Sequence, residues 1–170
     1  MKRSFLSPLM SGVFAALVAL VFTTSAFAQD NIESKEYGVT LSKPSGWEQT
    51  TGNEKAVAVF THSATQSQIE VVPTKLMTAE VADVFFDTFH KTLTESNFER
   101  VGDTREEKIG DVTGKRTEYK FTHSGVVLKV HVFGFVKDNT SWLVVGYMQE
   151  AEEKNILPTF TTTVESMKFN

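Results

Sequence analysis

The sequence predicts an α+β domain, an antiparallel sheet flanked by helices, and three observations carry that prediction. Apolar and polar residues alternate through Tyr37–Leu41 and over much of Arg105–Gln149, the period of half-buried strands. Between Thr78 and Ser96 the period changes: Ala82, Phe85, Phe86, Phe89 and Leu93 fall at helical spacing. A second helical stripe, Ile156, Phe160, Val164 and Met167, follows from about Asn155.

Taken in order, residues 1–28 read as a signal peptide. Lys2 and Arg3 precede the apolar run Met10–Phe22, and Ser25-Ala26-Phe27-Ala28 has the small-x-small form of a cleavage site. The run is shorter than the roughly 20 residues a membrane span needs. No Cys follows it, so a lipid anchor is not expected, and removal of the segment leaves no stable membrane anchor. The expected location is the periplasm, with secretion as the alternative. Residues 29–36 are polar and aperiodic and read as a flexible leader without structure of its own.

A single domain is expected over 37–170. Tyr37, Val39 and Leu41 alternate with Gly38, Thr40 and Ser42, and Lys43-Pro44-Ser45-Gly46 supplies a turn before Trp47. Val57–Thr61 and Ile69–Val72 read as strands separated by a polar loop, His62–Ser67. The helix over 78–96 takes Thr78 as its N-cap and Asn97 as its stop. Its Phe stripe is the face that packs on a sheet.

From Arg105 to Gln149 the chain reads as an antiparallel meander turning at Gly110-Asp111, Ser124-Gly125 and Asp138-Asn139. A two-residue loop at Ser124-Gly125 sets Tyr119 opposite Val130 and Phe121 opposite Leu128. On the other face it sets Glu118 opposite His131 and Lys120 opposite Lys129. The next loop places Leu143, Val145 and Tyr147 beside Gly134, Val132 and Val130. Trp142, Val144 and Gly146 then lie beside Phe135, Phe133 and His131. Ser141–Met148 is apolar on both faces, as a central covered strand should be. In the last helix Pro158 is expected in the first turn, where its missing N–H is harmless. Glu150–Glu153 reads as a solvated connection.

Charge and composition exclude several classes. The 170 residues carry 17 Lys+Arg against 21 Asp+Glu, and loss of residues 1–28 with Lys2 and Arg3 moves the net charge from −4 to −6. An acidic chain without a basic patch is not expected to bind nucleic acid. With no Cys at all, thiol nucleophiles, thiolate metal sites and disulfides are excluded. Stability must come from packing, which about 140 residues can supply.

Tyr37-Gly38-Val39-Thr40-Leu41-Ser42-Lys43-Pro44-Ser45-Gly46-Trp47, followed by strands, a long helix, a meander and a last helix, resembles the PsbP-like and DcrB-like proteins. The resemblance covers about residues 37–169. It implies an α/β/α sandwich around an antiparallel sheet, acting as a binding or assembly module without catalysis. Tyr37, Pro44, Gly46 and Trp47 match as structural positions, and no functional residue of the family is carried over.

Catalytic motifs are absent: there is no His-Glu-x-x-His and no Gly-x-Ser-x-Gly, and no glycine run has phosphate-loop spacing. A metal site from His62 and His123 would require their two strand ends to meet. No metal and no cofactor is expected. The one constellation is Glu118 beside His131, with Lys120 and Lys129 a step along and Gly146 leaving room above the imidazole. Carboxylate beside imidazole can orient a tautomer or hold a proton.

Three readings follow. The first is an exported, non-catalytic envelope module acting through a protein partner, with an exposed apolar patch around Trp47 and the loop His62–Ser67. The second is a small apolar-ligand carrier with a cleft between the sheet and the Phe-rich helix. The third is a hydrolase using Glu118 and His131.

Overall fold

A computed structural model describes residues 30–76 and 79–170. The signal-peptide reading of 1–28 and the Thr78 cap lie outside the described residues. The strands are β1 (Asn31–Ser34), β2 (Val39–Ser42), β3 (Glu48–Gln49), β4 (Ala58–His62) and β5 (Ser67–Lys75). A 3₁₀ turn, Ala79–Val81, leads into α1 (Ala82–Glu95). The meander is β6 (Glu99–Ile109), β7 (Val112–His123), β8 (Val126–Lys137) and β9 (Thr140–Gln149). A second 3₁₀ turn, Glu150–Glu152, then precedes α2 (Glu153–Glu165) and β10 (Lys168–Phe169).

Seven strands form one antiparallel sheet in the order β3–β4–β5–β9–β8–β7–β6, and β1–β2–β10 form a smaller one. The meander register agrees with the reading from sequence: Glu118 faces His131, Tyr119 faces Val130, and Gly146 lies beside His131. Ser124 and Gly125, and Asp138 and Asn139, all have positive φ, so both loops are two-residue turns whose twist matches the flanking strands. Such turns leave no slack for the register to slip.

β9 is the central strand and is covered on both faces. On one face Phe86 and Leu93 of α1 pack on Tyr119, Val130, Val132, Leu143 and Val145. On the other, Phe160 and Val164 of α2, with Val39 and Leu41 of the small sheet, pack on Phe133, Trp142, Val144 and Met148. Each helix seats a ring over a glycine. A Cβ on Gly134 would lie 2.7 Å from the Phe86 ring, and one on Gly146 would lie 2.7 Å from the Phe160 ring. Among the described residues no helix is long and apolar enough to cross a membrane.

Three expectations are corrected. The leader is not without structure: Asn31–Ser34 pairs with β2, Ile32 opposite Leu41, and Ser42 Oγ donates to Asn31 Oδ1 at 3.0 Å. Pairing along the β2 edge satisfies its backbone groups, so weak local alternation suffices. The meander starts at Glu99, because a bulge between Val101 and Arg105 with Gly102 at φ +69° breaks the alternation. Helix α2 starts at Glu153, so Pro158 falls in its second turn, where its missing N–H removes one helical hydrogen bond to the Lys154 carbonyl.

Candidate functional site

Alternation along β7 places Arg116 and Glu118 on the face that carries α2, and β8 places Lys129 and His131 beside them. The first residue of α2, Glu153, reaches down onto the imidazole. His131 is 3% exposed and Arg116 4%. Lys129 Nζ donates to Glu118 Oε1 at 2.5 Å and lies 3.8 Å from Glu150 Oε1. Arg116 rests its guanidinium 5.0 Å above the Phe160 ring and lies 3.5 Å from Glu107 Oε2.

The geometry fixes the imidazole tautomer. Arg116 Nη2 lies 3.3 Å from His131 Nδ1, and a guanidinium can only donate. Nδ1 is therefore the acceptor, so Nε2 carries the proton and donates to Glu153 Oε1 at 2.8 Å. Burial, and then the Arg116 charge, hold the His131 pKa below 6.5 against the pull of Glu118 and Glu153. The hydrogen bond to Glu118 holds the Lys129 ammonium above its usual range.

Glu118, His131 and Glu153 offer atoms within 4.8 Å of one another, a spacing that raises the question of a divalent cation. The tautomer argues against one. A metal on Nε2 would move the ring proton to Nδ1, where it would confront the Arg116 N–H, whereas a ligating histidine needs an acceptor there. Lys129 already supplies the positive charge beside Glu118. Without an ion, the cluster is an internally paired ion network.

Of the residues singled out in the sequence, Glu118, His131 and Lys129 come together. Lys120 does not join them; it pairs with Glu99 at 3.0 Å on the neighbouring strand. Gly146 leaves no room above the imidazole, because the Phe160 ring fills that space. Trp47 is 5% exposed in the core, with its ring 5.4 Å from His62, so it forms no exposed patch. His62 and His123 stand on strands four places apart in the sheet, about 19 Å at the usual strand spacing.

Sequence reasoning missed Arg116 and Glu153. Arg116 had a signal, lying two residues before Glu118 on the same face of β7, opposite Phe133. Glu153 had none, because its contact depends on where α2 begins. A second polar pair lies under α1: the buried Tyr119 hydroxyl shares a hydrogen bond with Nδ1 of the half-buried His90 at 2.5 Å. Burial, with Arg100 adding to it, lowers the His90 pKa, and burial raises that of Tyr119.

No family model and no curated protein matches the chain. Solved structures do. The solution structure of cyanobacterial PsbP (CyanoP) from Synechocystis superimposes with a TM-score of 0.63 at 13% identity, over 86% of this chain and 96% of that one. LpqN of Mycobacterium tuberculosis, described as involved in cell envelope biogenesis, gives 0.57 at 10% identity over 84% and 90%. The Saccharomyces cerevisiae Ran-binding protein Mog1p gives 0.55 at 12% over 84% and 96%. The chain spans about half (47%) of a Bacteroides thetaiotaomicron structure that it matches with a TM-score of 0.59 at 13% identity. The fold is PsbP-like, and identities this low define the fold alone. The sandwich expected from Tyr37–Trp47 and the order of elements is the one found.

Proposed function

We propose that the chain is an exported, non-catalytic binding module of the cell envelope that acts through a protein partner. The observation that supports the non-catalytic part of this reading is the state of His131: it is buried, and both ring nitrogens are already engaged by Arg116 and Glu153. A general base needs an open path to a substrate proton, so the hydrolase reading of Glu118 and His131 loses its base. The cleft of the carrier reading is closed at Phe86, whose ring is seated on Gly134. A shared fold with a Ran-binding protein and an envelope-biogenesis protein supports binding and the envelope by analogy.

The test is fractionation and photo-crosslinking in intact bacterial cells. A tagged full-length chain is expected in the envelope fraction without residues 1–28, and crosslinkers at exposed positions such as Val84 and Val126 are expected to trap one recurrent envelope protein. An unprocessed cytoplasmic chain overturns export. Crosslinks no stronger than background at every exposed position tried overturn the partner.

A further inference from the structure

Three neighbouring strands set one row of side chains beside the small sheet. Lys75 of β5 faces Thr140 of β9, and Thr140 faces Lys137 of β8. Residues directly opposite on antiparallel strands share a face, so the two lysines flank Thr140 with their backbones about 10 Å apart. The next row on that face, two residues along, is Pro73, Trp142 and Phe135.

A cleft of about 310 Å³ opens beside these rows. Trp142 lines it while only 1% exposed, and the Tyr37 and Phe169 rings stand edge-on to the indole at 6.0 and 5.4 Å. The indole Nε1 is buried and has no partner among the described residues. A tryptophan N–H can only donate, and leaving it buried without an acceptor is costly. An oxygen brought into the cleft would relieve that cost.

The rim selects the kind of oxygen. Glu36 lies 3.5 Å from Lys75 Nζ, which also sits over the Tyr37 ring at 5.2 Å. Lys137 is exposed and makes no ion pair among the described residues, so it is the cation left for a ligand. Asp138 also lines the cleft, and together with Glu36 it disfavours a dianion such as phosphate. We propose that this cleft binds a small carboxylic acid with an apolar body, its carboxylate held by Lys137, Thr140 and Trp142 Nε1 and its body lying against Tyr37 and Phe169. The site lies on the face of the sheet opposite α1 and stands independently of the function proposed above.

Indole ¹H–¹⁵N spectra of the whole chain test this, because its two tryptophans give one reporter in the cleft and one, Trp47, outside it. Titration with phenylacetate and with hexanoate is expected to move the Trp142 N–H downfield, saturably and within about 10 mM, and to leave Trp47 in place. The uncharged amides of both acids are expected to bind about tenfold more weakly. Acetate, which lacks the apolar body, is expected to bind more weakly too. Lys137→Gln, at an exposed position, is expected to weaken both acids severalfold and leave their amides unaffected, whereas Lys91→Gln on α1 changes neither. A Trp142 signal that neither acid moves by about 10 mM overturns the proposal. So does an equal response to the acids and to their amides or acetate, or an affinity for the acids unchanged in Lys137→Gln.

Discussion

Arg116 is the residue on which the cluster turns. Its guanidinium sits over Phe160, faces Glu107 and donates to His131, and its own Nε has no partner among the described residues. Removing one member of a buried charge network leaves the others desolvated and unpaired. Arg116→Ala strips a donor from His131 Nδ1 and the nearest cation from Glu107, and is expected to destabilise the protein by about 3 kcal/mol. Urea-unfolding midpoints at pH 7.5 measure it, and a loss under about 1 kcal/mol would mean that water already serves these groups. At this scale the sequence was legible where contacts are set by register. Glu118 and His131 could be paired on paper because a two-residue turn fixes their distance along β7 and β8. Glu153 could not, because a contact between a helix start and a strand has no period to read.

At the scale of elements, the end of α1 is closed by a Schellman motif: Phe98 N–H donates to Leu93 O and Asn97 N–H to Thr94 O, with Asn97 at φ +65°. Phe98 packs in the same apolar cluster as Leu93. Asparagine is the side chain that best tolerates this left-handed position after glycine. Asn97→Ala is expected to cost about 1 kcal/mol, and Asn97→Gly to be neutral or slightly stabilising; calorimetric midpoints of the two variants should move in opposite directions or differ clearly in size. The seats for the aromatic rings have a different sensitivity. Gly146→Ala drives a methyl into the Phe160 ring, and overpacking of this kind costs about 1–3 kcal/mol. A melting temperature equal to the parent's would show that α2 can shift outward without loss. Elements with tight turns or a clear helical stripe were legible in advance. Strands β1 and β6 were obscured, since an edge strand with polar residues on both faces or a bulge carries little alternation.

Across the whole molecule, the two helix–sheet seams repeat one arrangement. Each has a phenylalanine seated on a glycine and a histidine tied across the seam by a hydrogen bond, His90 of α1 to Tyr119 of β7 and His131 of β8 to Glu153 of α2. Burial is the largest cause lowering both histidine pKa values, assisted by Arg100 in one case and Arg116 in the other. A histidine that is harder to protonate in the folded chain binds fewer protons there than in the unfolded chain. Its contribution to stability is therefore complete above the unfolded value of 6.5 and is lost as pH falls from there toward the folded value. Each site can remove at most about 1.4 kcal/mol per pH unit within that window. The expected outcome is a fall in unfolding free energy between pH 7.5 and 5.5, made shallower by His131→Gln and shallower again when His90→Gln is added. Because the histidines lie on opposite faces of the sheet, their effects should add, as those of distant sites do. A double variant with the parent's slope would place the acid sensitivity outside the seams.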